Sequence, residues 1–177
     1  LGFPRIGRDR ELKWATERYW AGKIDADELQ RVAAELRKTH WQSQRDAGID
    51  LVGVNDFSFY DQMLDMSVLL GAVPSRFGTG PVDLDTYFRM ARGDGQTGGV
   101  AALDMTKWFD TNYHYLVPEL AADQTFRLTP DKPLAELAEA QALGLTAKVI
   151  LIGPVTYLRL AELDGGGDPL DLLPNLL

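Results

Sequence analysis

The stretch Gly48-Ile49-Asp50-Leu51-Val52-Gly53-Val54-Asn55-Asp56-Phe57-Ser58-Phe59-Tyr60-Asp61 decides the reading of the fold. Gly48 suits the C-cap of a helix, because glycine enters the left-handed region without penalty. Ile49–Val54 is a short apolar run of the kind that forms a buried strand. Asn55–Asp61 closes it with polar and aromatic residues, and a helix is predicted over Gln62–Leu70, stopped by Gly71 and Pro74. Upstream, Asp25 with Glu28 three residues later is a capping-box pattern, and Leu29, Val32, Ala33 and Leu36 recur at helical spacing.

The same alternation extends in both directions. Residues 2–7 read as a short strand or strand end, and Asp9 as the N-cap of a helix from about Arg10 to Trp20, interrupted at Gly22-Lys23. Further helices are predicted over residues 83–92 and Pro133–Leu143, the latter closed by Gly144. Strands are predicted around Met105–Phe109, ending in Asn112–Tyr115, and over Lys148–Ile152, followed by Gly153–Thr156. Gly93–Gly99 reads as a flexible loop, and Gly165–Gly167 as a loop before a last amphipathic helix. Strand and helix thus alternate about four times, which argues for an α/β fold with parallel strands. No phosphate-cradling glycine pattern opens a helix. The expected architecture is therefore a (βα) TIM-type barrel, of which four units make about half. A chain that starts at Leu1 and stops inside an apolar Leu172–Leu177 stretch reads as a piece of something longer.

Bulk composition narrows the function classes. The 177 residues are 45% hydrophobic and 25% charged, which fits an ordinary globular domain. The net charge of −8 argues against nucleic-acid binding, which needs a basic face. The absence of cysteine excludes disulfides, thiolate metal ligands and a cysteine nucleophile within these residues. No run approaches the roughly 20 apolar residues of a membrane span. The expectation is a cytoplasmic protein with neither nucleic acid nor membrane as partner.

Within this acidic chain, Arg5, Arg8, Arg10 and Lys13 outnumber Asp9 and Glu11 over the first 13 residues. A basic cluster at a strand-to-helix junction is a candidate anion site, where backbone N–H groups and the helix dipole add to the side chains. The alternative is a solvated, charged first helical turn.

Leu1–Lys13, Tyr19–Gly22, Asn55–Asp61, Met105–Tyr115 and Gly153–Thr156, in this order, resemble the N-terminal domain of cobalamin-independent methionine synthases. The similarity runs nearly end to end; Gly-Pro-Val-Thr alone is weak, whereas the opening and Met105–Tyr115 are specific. The resemblance implies two (βα)8 barrels in a long chain. This segment would be about the first half of the N-terminal barrel, with the zinc-bearing C-terminal barrel absent. It also implies methyl transfer from a 5-methyltetrahydropteroyltriglutamate to homocysteine, giving methionine, without cobalamin. Zinc and homocysteine would belong to the missing domain, so this segment alone would be inactive.

By that resemblance, Arg10, Glu11, Leu12, Lys13 and Lys107 match the residues that hold the folate polyglutamate tail. Carboxylates of such a tail call for charge-assisted hydrogen bonds. Arg10 and Lys13, at i and i+3, are expected on one helix face. Glu11 would act through its backbone or by orienting Arg10, and Leu12 by packing. Asn112 is the candidate near the pterin or amino acid, since an amide both donates and accepts; a turn or loop cap is the alternative. His114 and His40 lack the partners of a metal site, and His40 is expected to pack. Asp56 and Asp61 are placed to touch substrate, or in the case of Asp61 to cap the next helix. Trp14, Trp20, Trp41 and Trp108 are core candidates, Trp108 also a ligand neighbour. Two further readings stay open: a non-catalytic folate-binding module, and a half barrel that self-associates through unpaired sheet edges.

Overall fold

In the computed structural model, which describes residues 3–95 and 99–177, helices and short strands follow one another in chain order. They are α1 (Glu11–Trp20), α2 (Ala26–Asp46), β1 (Val52–Val54), α3 (Gln62–Leu69), α4 (Leu84–Arg92), β2 (Met105–Lys107), β3 (His114–Leu116), β4 (Glu119–Leu120), α5 (Asp131–Ala142), β5 (Ala147–Val149), α6 (Pro154–Arg159), β6 (Glu162–Leu163) and α7 (Leu173–Leu176). They divide into two compact units: residues up to Phe59 with Asp131–Leu151, and Tyr60–Pro130 with Ile152–Leu177.

In the first unit, Asp25 caps α2 by accepting the Glu28 backbone N–H at 2.9 Å. One face of α2 buries Leu29, Ala33, Leu36 and Trp41. Leu12, Ala33, Leu36 and Phe57 form one cluster. Trp41, Val52, Val54, Ala140 and Leu145 form another. β1 and β5 pair in parallel, Val52 with Ala147 and Val54 with Val149, and every residue of β1 is buried. Complete burial explains why the run is apolar throughout instead of alternating.

In the second unit, Asp61 and Asp83 cap α3 and α4. β2 and β3 are an antiparallel hairpin; β4 and β6 are a parallel pair. Met63, Leu69, Tyr115, Leu120, Tyr157 and Leu158 are central to its core, where Ser67 Oγ and Tyr157 Oη share a hydrogen bond of 3.0 Å.

Several expectations are corrected. Residues 3–7 are turn and coil, not strand; Gly2 lies outside the described residues. Asp9 does not cap α1: the N-cap is Arg10, with left-handed backbone (φ 63°) and no side-chain cap bond. Met105–Tyr115 is a hairpin, not one strand with a functional carboxyl end, and all of β2 is exposed. Gly153-Pro154 opens a helix, α6, with proline at its first turn, where a missing N–H costs nothing. The last helix expected over Leu172–Leu177 is present as the short α7, preceded by a 3₁₀ turn at Pro169–Leu172. Trp14 and Trp20 are exposed, and only Trp41 is fully buried. The loop expected over Gly93–Gly99 includes Gln96, Thr97 and Gly98, which lie outside the described residues; Asp94 accepts the Arg89 Nε–H at 2.8 Å and the Val100 N–H at 3.0 Å. The sheets among the described residues are three two-stranded pairs, none of them closed. The architecture is mixed α/β, and no described helix is long and apolar enough to cross a membrane.

Candidate functional site

The opening segment is shaped by its own carboxylate. Gly7 takes φ 85°, and a Cβ there would sit 2.0 Å from Glu11 Oε2. That oxygen accepts the Asp9 N–H at 3.0 Å. The Leu12 N–H donates to Ile6 O at 3.1 Å, so the segment folds back on the first turn of α1. Glu11 therefore organises the loop that carries Arg8 and Arg10. Both arginines are exposed and have no ion-pair partner among the described residues. Because Arg10 precedes the helix in a left-handed conformation, the one-face argument for Arg10 and Lys13 does not apply. Lys13 is engaged: its Nζ lies 3.1 Å from Glu17 and 4.2 Å from the centre of the Trp14 ring. Leu12, 2% exposed, is a core residue.

In the same unit, the carboxyl end of β1 is a polar junction. Asn55 has φ 65°. Its N–H donates to Glu136 Oε2 at 2.8 Å, and its side-chain amide donates to Ile150 O at 2.9 Å. Lys132 Nζ donates to Asn55 Oδ1 at 2.8 Å and lies 3.0 Å from Glu136. Burial pushes the Glu136 carboxyl above its ordinary pKa, against the pull of Lys132 and Arg37. Arg37 makes a two-pronged pair with Glu139, at 2.8 and 2.7 Å. Asp56 accepts the Phe3 N–H at 3.1 Å, and burial raises its pKa. The Phe3 ring stacks on His40 at 4.3 Å. Burial lowers the His40 pKa, so its imidazole packs in its neutral form more readily than a free one.

In the second unit, Lys107 ends β2 opposite His114. It is exposed and has no hydrogen-bond or ion-pair partner among the described residues. The turn beyond it places Phe109 at φ 51°, 63% exposed, against the edge of Trp108. Asn112 is exposed in that turn, and its carbonyl meets His114 Nδ1 at 3.1 Å; it occupies a turn, not a strand end. Beneath the hairpin, the buried Asp61 carboxylate accepts from Met63 N–H at 2.9 Å, Leu64 N–H at 3.0 Å, Leu116 N–H at 3.2 Å and the Tyr113 hydroxyl. Burial raises the Asp61 pKa, and these donors oppose it. Asp61 is thus a helix cap and hairpin anchor.

Among the described residues, the non-glycine positions with positive φ are Arg10, Asn55 and Phe109, one in each of three of the five motif-bearing segments. Such conformations persist only where surroundings enforce them, and they concentrate at binding sites.

The sequence pattern described as "Cobalamin-independent synthase, N-terminal domain" matches residues 1–177. The chain belongs to this family. It is 58% identical to a protein of Shewanella oneidensis over 180 residues, 55% identical to one of Xylella fastidiosa strain M23 over 181, and 51% identical to one of Chelativorans sp. strain BNC1 over 189. Each alignment covers all of this chain, and each relative is named 5-methyltetrahydropteroyltriglutamate–homocysteine methyltransferase. The chain spans about a quarter of the length of these relatives, 24–25%.

In this cobalamin-independent synthase domain, Arg10–Lys13 lie in one unit and Lys107 in the other. The described residues contain no group of three His, Cys, Asp or Glu side chains placed to hold a metal ion. Sequence reasoning missed the junction around Asn55. Lys132 and Glu136, four apart across the start of the helix predicted from Pro133, were the available signal. The Arg37–Glu139 pair, 102 residues apart, has none.

Proposed function

We propose that this chain is part of a methyltransferase that moves the methyl group of 5-methyltetrahydropteroyltriglutamate to homocysteine, and that its own share is to hold the folate polyglutamate tail. The observation that carries the reading is the end-to-end identity of 51–58% to relatives bearing that enzyme name. The fold proposed for the parent is a TIM-type barrel, with this chain as about half of an N-terminal one. Zinc, homocysteine and the methyl-transfer step are assigned to parts of the longer protein, which is read as cytoplasmic.

The tail is a flexible polyanion. Arg10 in the first unit and Lys107 in the second are exposed cations without competing carboxylates among the described residues, which leaves each free to meet a tail carboxylate. Lys13 joins them in exchange for Glu17. Glu11 contributes by holding the loop, and Leu12 by packing beneath it. Asn112 is assigned to the pterin or amino acid end.

The experiment is equilibrium binding of folates with one, two and three glutamates to the full-length protein. Affinity should rise with tail length, and the rise should shrink for Arg10→Ala and Lys107→Ala. The dependence should weaken with added salt, since exposed charge pairs are screened over about 10 Å at 0.1 M. Affinity independent of tail length refutes the reading.

A further inference from the structure

We propose that Tyr113, gripped by the Asp61 carboxylate, is a positioning residue for Lys107. The inference rests on the assignment of Lys107 to the polyglutamate tail.

Every residue of β2 is exposed, so packing of its own side chains does not fix where Lys107 stands. Its placement passes through β3. Lys107 is in register with His114, and the next N–H, that of Trp108, donates to Tyr113 O at 2.7 Å. The Tyr113 hydroxyl then donates to Asp61 Oδ1. Asp61 Oδ2 takes the Leu116 N–H at 3.2 Å, so one carboxylate holds β3 at both ends. The same oxygen caps α3 through Met63 and Leu64. Asp61 is 1% exposed, which fixes it to the helix start. One path from Lys107 to the core is therefore one peptide step, one backbone bond and one phenol bond; the Trp108 ring, 5.8 Å from that of Tyr115, is a second.

A flexible lysine gains affinity for a carboxylate when its strand is held in place, because less freedom is lost on binding. Removing the Tyr113 hydroxyl leaves Lys107 intact and loosens the turn at residues 108–113, which keeps the Thr111 hydroxyl bond to Trp108 O and the Trp108 N–H bond to Tyr113 O. Tyr115 and Leu116 remain buried, so the hairpin stays docked and the variant folds.

The test uses the full-length protein with Tyr113→Phe, Lys107→Ala and both together. It measures Kd for monoglutamyl and triglutamyl folate and amide hydrogen exchange at Trp108. Tyr113→Phe should speed exchange at Trp108 and reduce the triglutamyl preference about twofold to fivefold, the scale of one exposed charge contact. Monoglutamate affinity should be unchanged, and Tyr113→Phe should add nothing in the Lys107→Ala background. A purely stabilising tyrosine would not move the preference. A preference lowered by Lys107→Ala but not by Tyr113→Phe, or unchanged exchange at Trp108, overturns the positioning role. A preference untouched by Lys107→Ala overturns the tail assignment itself, and the positioning role with it.

Discussion

Glu136 accepts the backbone N–H of Asn55 at 2.8 Å and so secures the left-handed residue that ends β1. The Asn55 side chain adds bonds to Ile150 and Lys132, which ties the turn to the strand and helix beside it. Asparagine tolerates this conformation because its short polar side chain bonds locally. Asn55→Ala should lower unfolding stability by about 2–4 kcal/mol, from backbone strain and lost hydrogen bonds together. Asn55→Gly should lose about 1 kcal/mol less, since glycine removes the strain alone. Urea titration of both variants separates the contributions; equal losses would show that φ is not strained there.

Gly7 and Glu11 form a second such pair. Gly7→Ala brings a Cβ onto Glu11 Oε2 and forces alanine to φ 85°. The expected loss is about 2–4 kcal/mol. Adding Glu11→Ala removes the collision with the carboxylate but neither the 2.8 Å approach to Leu36 Cδ2 nor the φ penalty, so the double variant should lose less than the sum of the singles. Additive losses, read by thermal or urea unfolding, would mean that the loop does not close on that carboxylate.

How much of this was legible in the sequence follows from which interactions are local. Asp25, Asp61 and Gly48 act within a few residues of themselves, so the caps and helix ends around them were readable. β1 and β5 were readable because they are apolar runs bounded by breakers. The opening segment was not: residues 2–7 read as strand, yet its shape depends on Gly7 closing over Glu11. The hairpin was hidden because its turn holds no glycine and places Phe109 in the left-handed region, unlike the Asn-Gly or Asp-Gly turns that announce hairpins. For α6, Pro154 at the first turn was a usable signal. Among the site residues, identity was legible through family resemblance, whereas exposure and engagement, such as free Arg10 against paired Lys13, required the structure.

His40 gives the chain a pH dependence of definite sign. Burial holds its pKa below the ordinary imidazole value, against the opposite pull of Asp56 and Glu11. In the window just below that ordinary value the unfolded chain binds more protons at this site than the folded one. The His40 contribution to stability therefore rises with pH through this window and falls as the pH drops. Asp56 and Glu136, whose pKa values burial raises, act the other way above the ordinary carboxylate range. Comparison with His40→Phe, which keeps an aromatic partner for Phe3, isolates the imidazole. The stability difference between wild type and variant should shift in favour of wild type from about pH 5 to pH 7. A difference that stays flat across that range would place the imidazole in a solvent-like environment.

Lys13 carries the last prediction, because it is the tail candidate with a competitor. Its ammonium is 3.1 Å from Glu17 and rests over Trp14. A tail carboxylate must displace Glu17 or share the lysine with it, and an exposed pair of this type is worth up to about 1 kcal/mol. Glu17→Gln removes the competing charge and keeps the side-chain size. Affinity for triglutamyl folate should rise about twofold to fivefold, with monoglutamate affinity unchanged. Lys13→Ala should abolish the gain in the Glu17→Gln background. If Glu17→Gln leaves triglutamate affinity unaltered while Arg10→Ala and Lys107→Ala both lower it, Lys13 is a partner of Glu17 and Trp14 alone, and the tail is held without it.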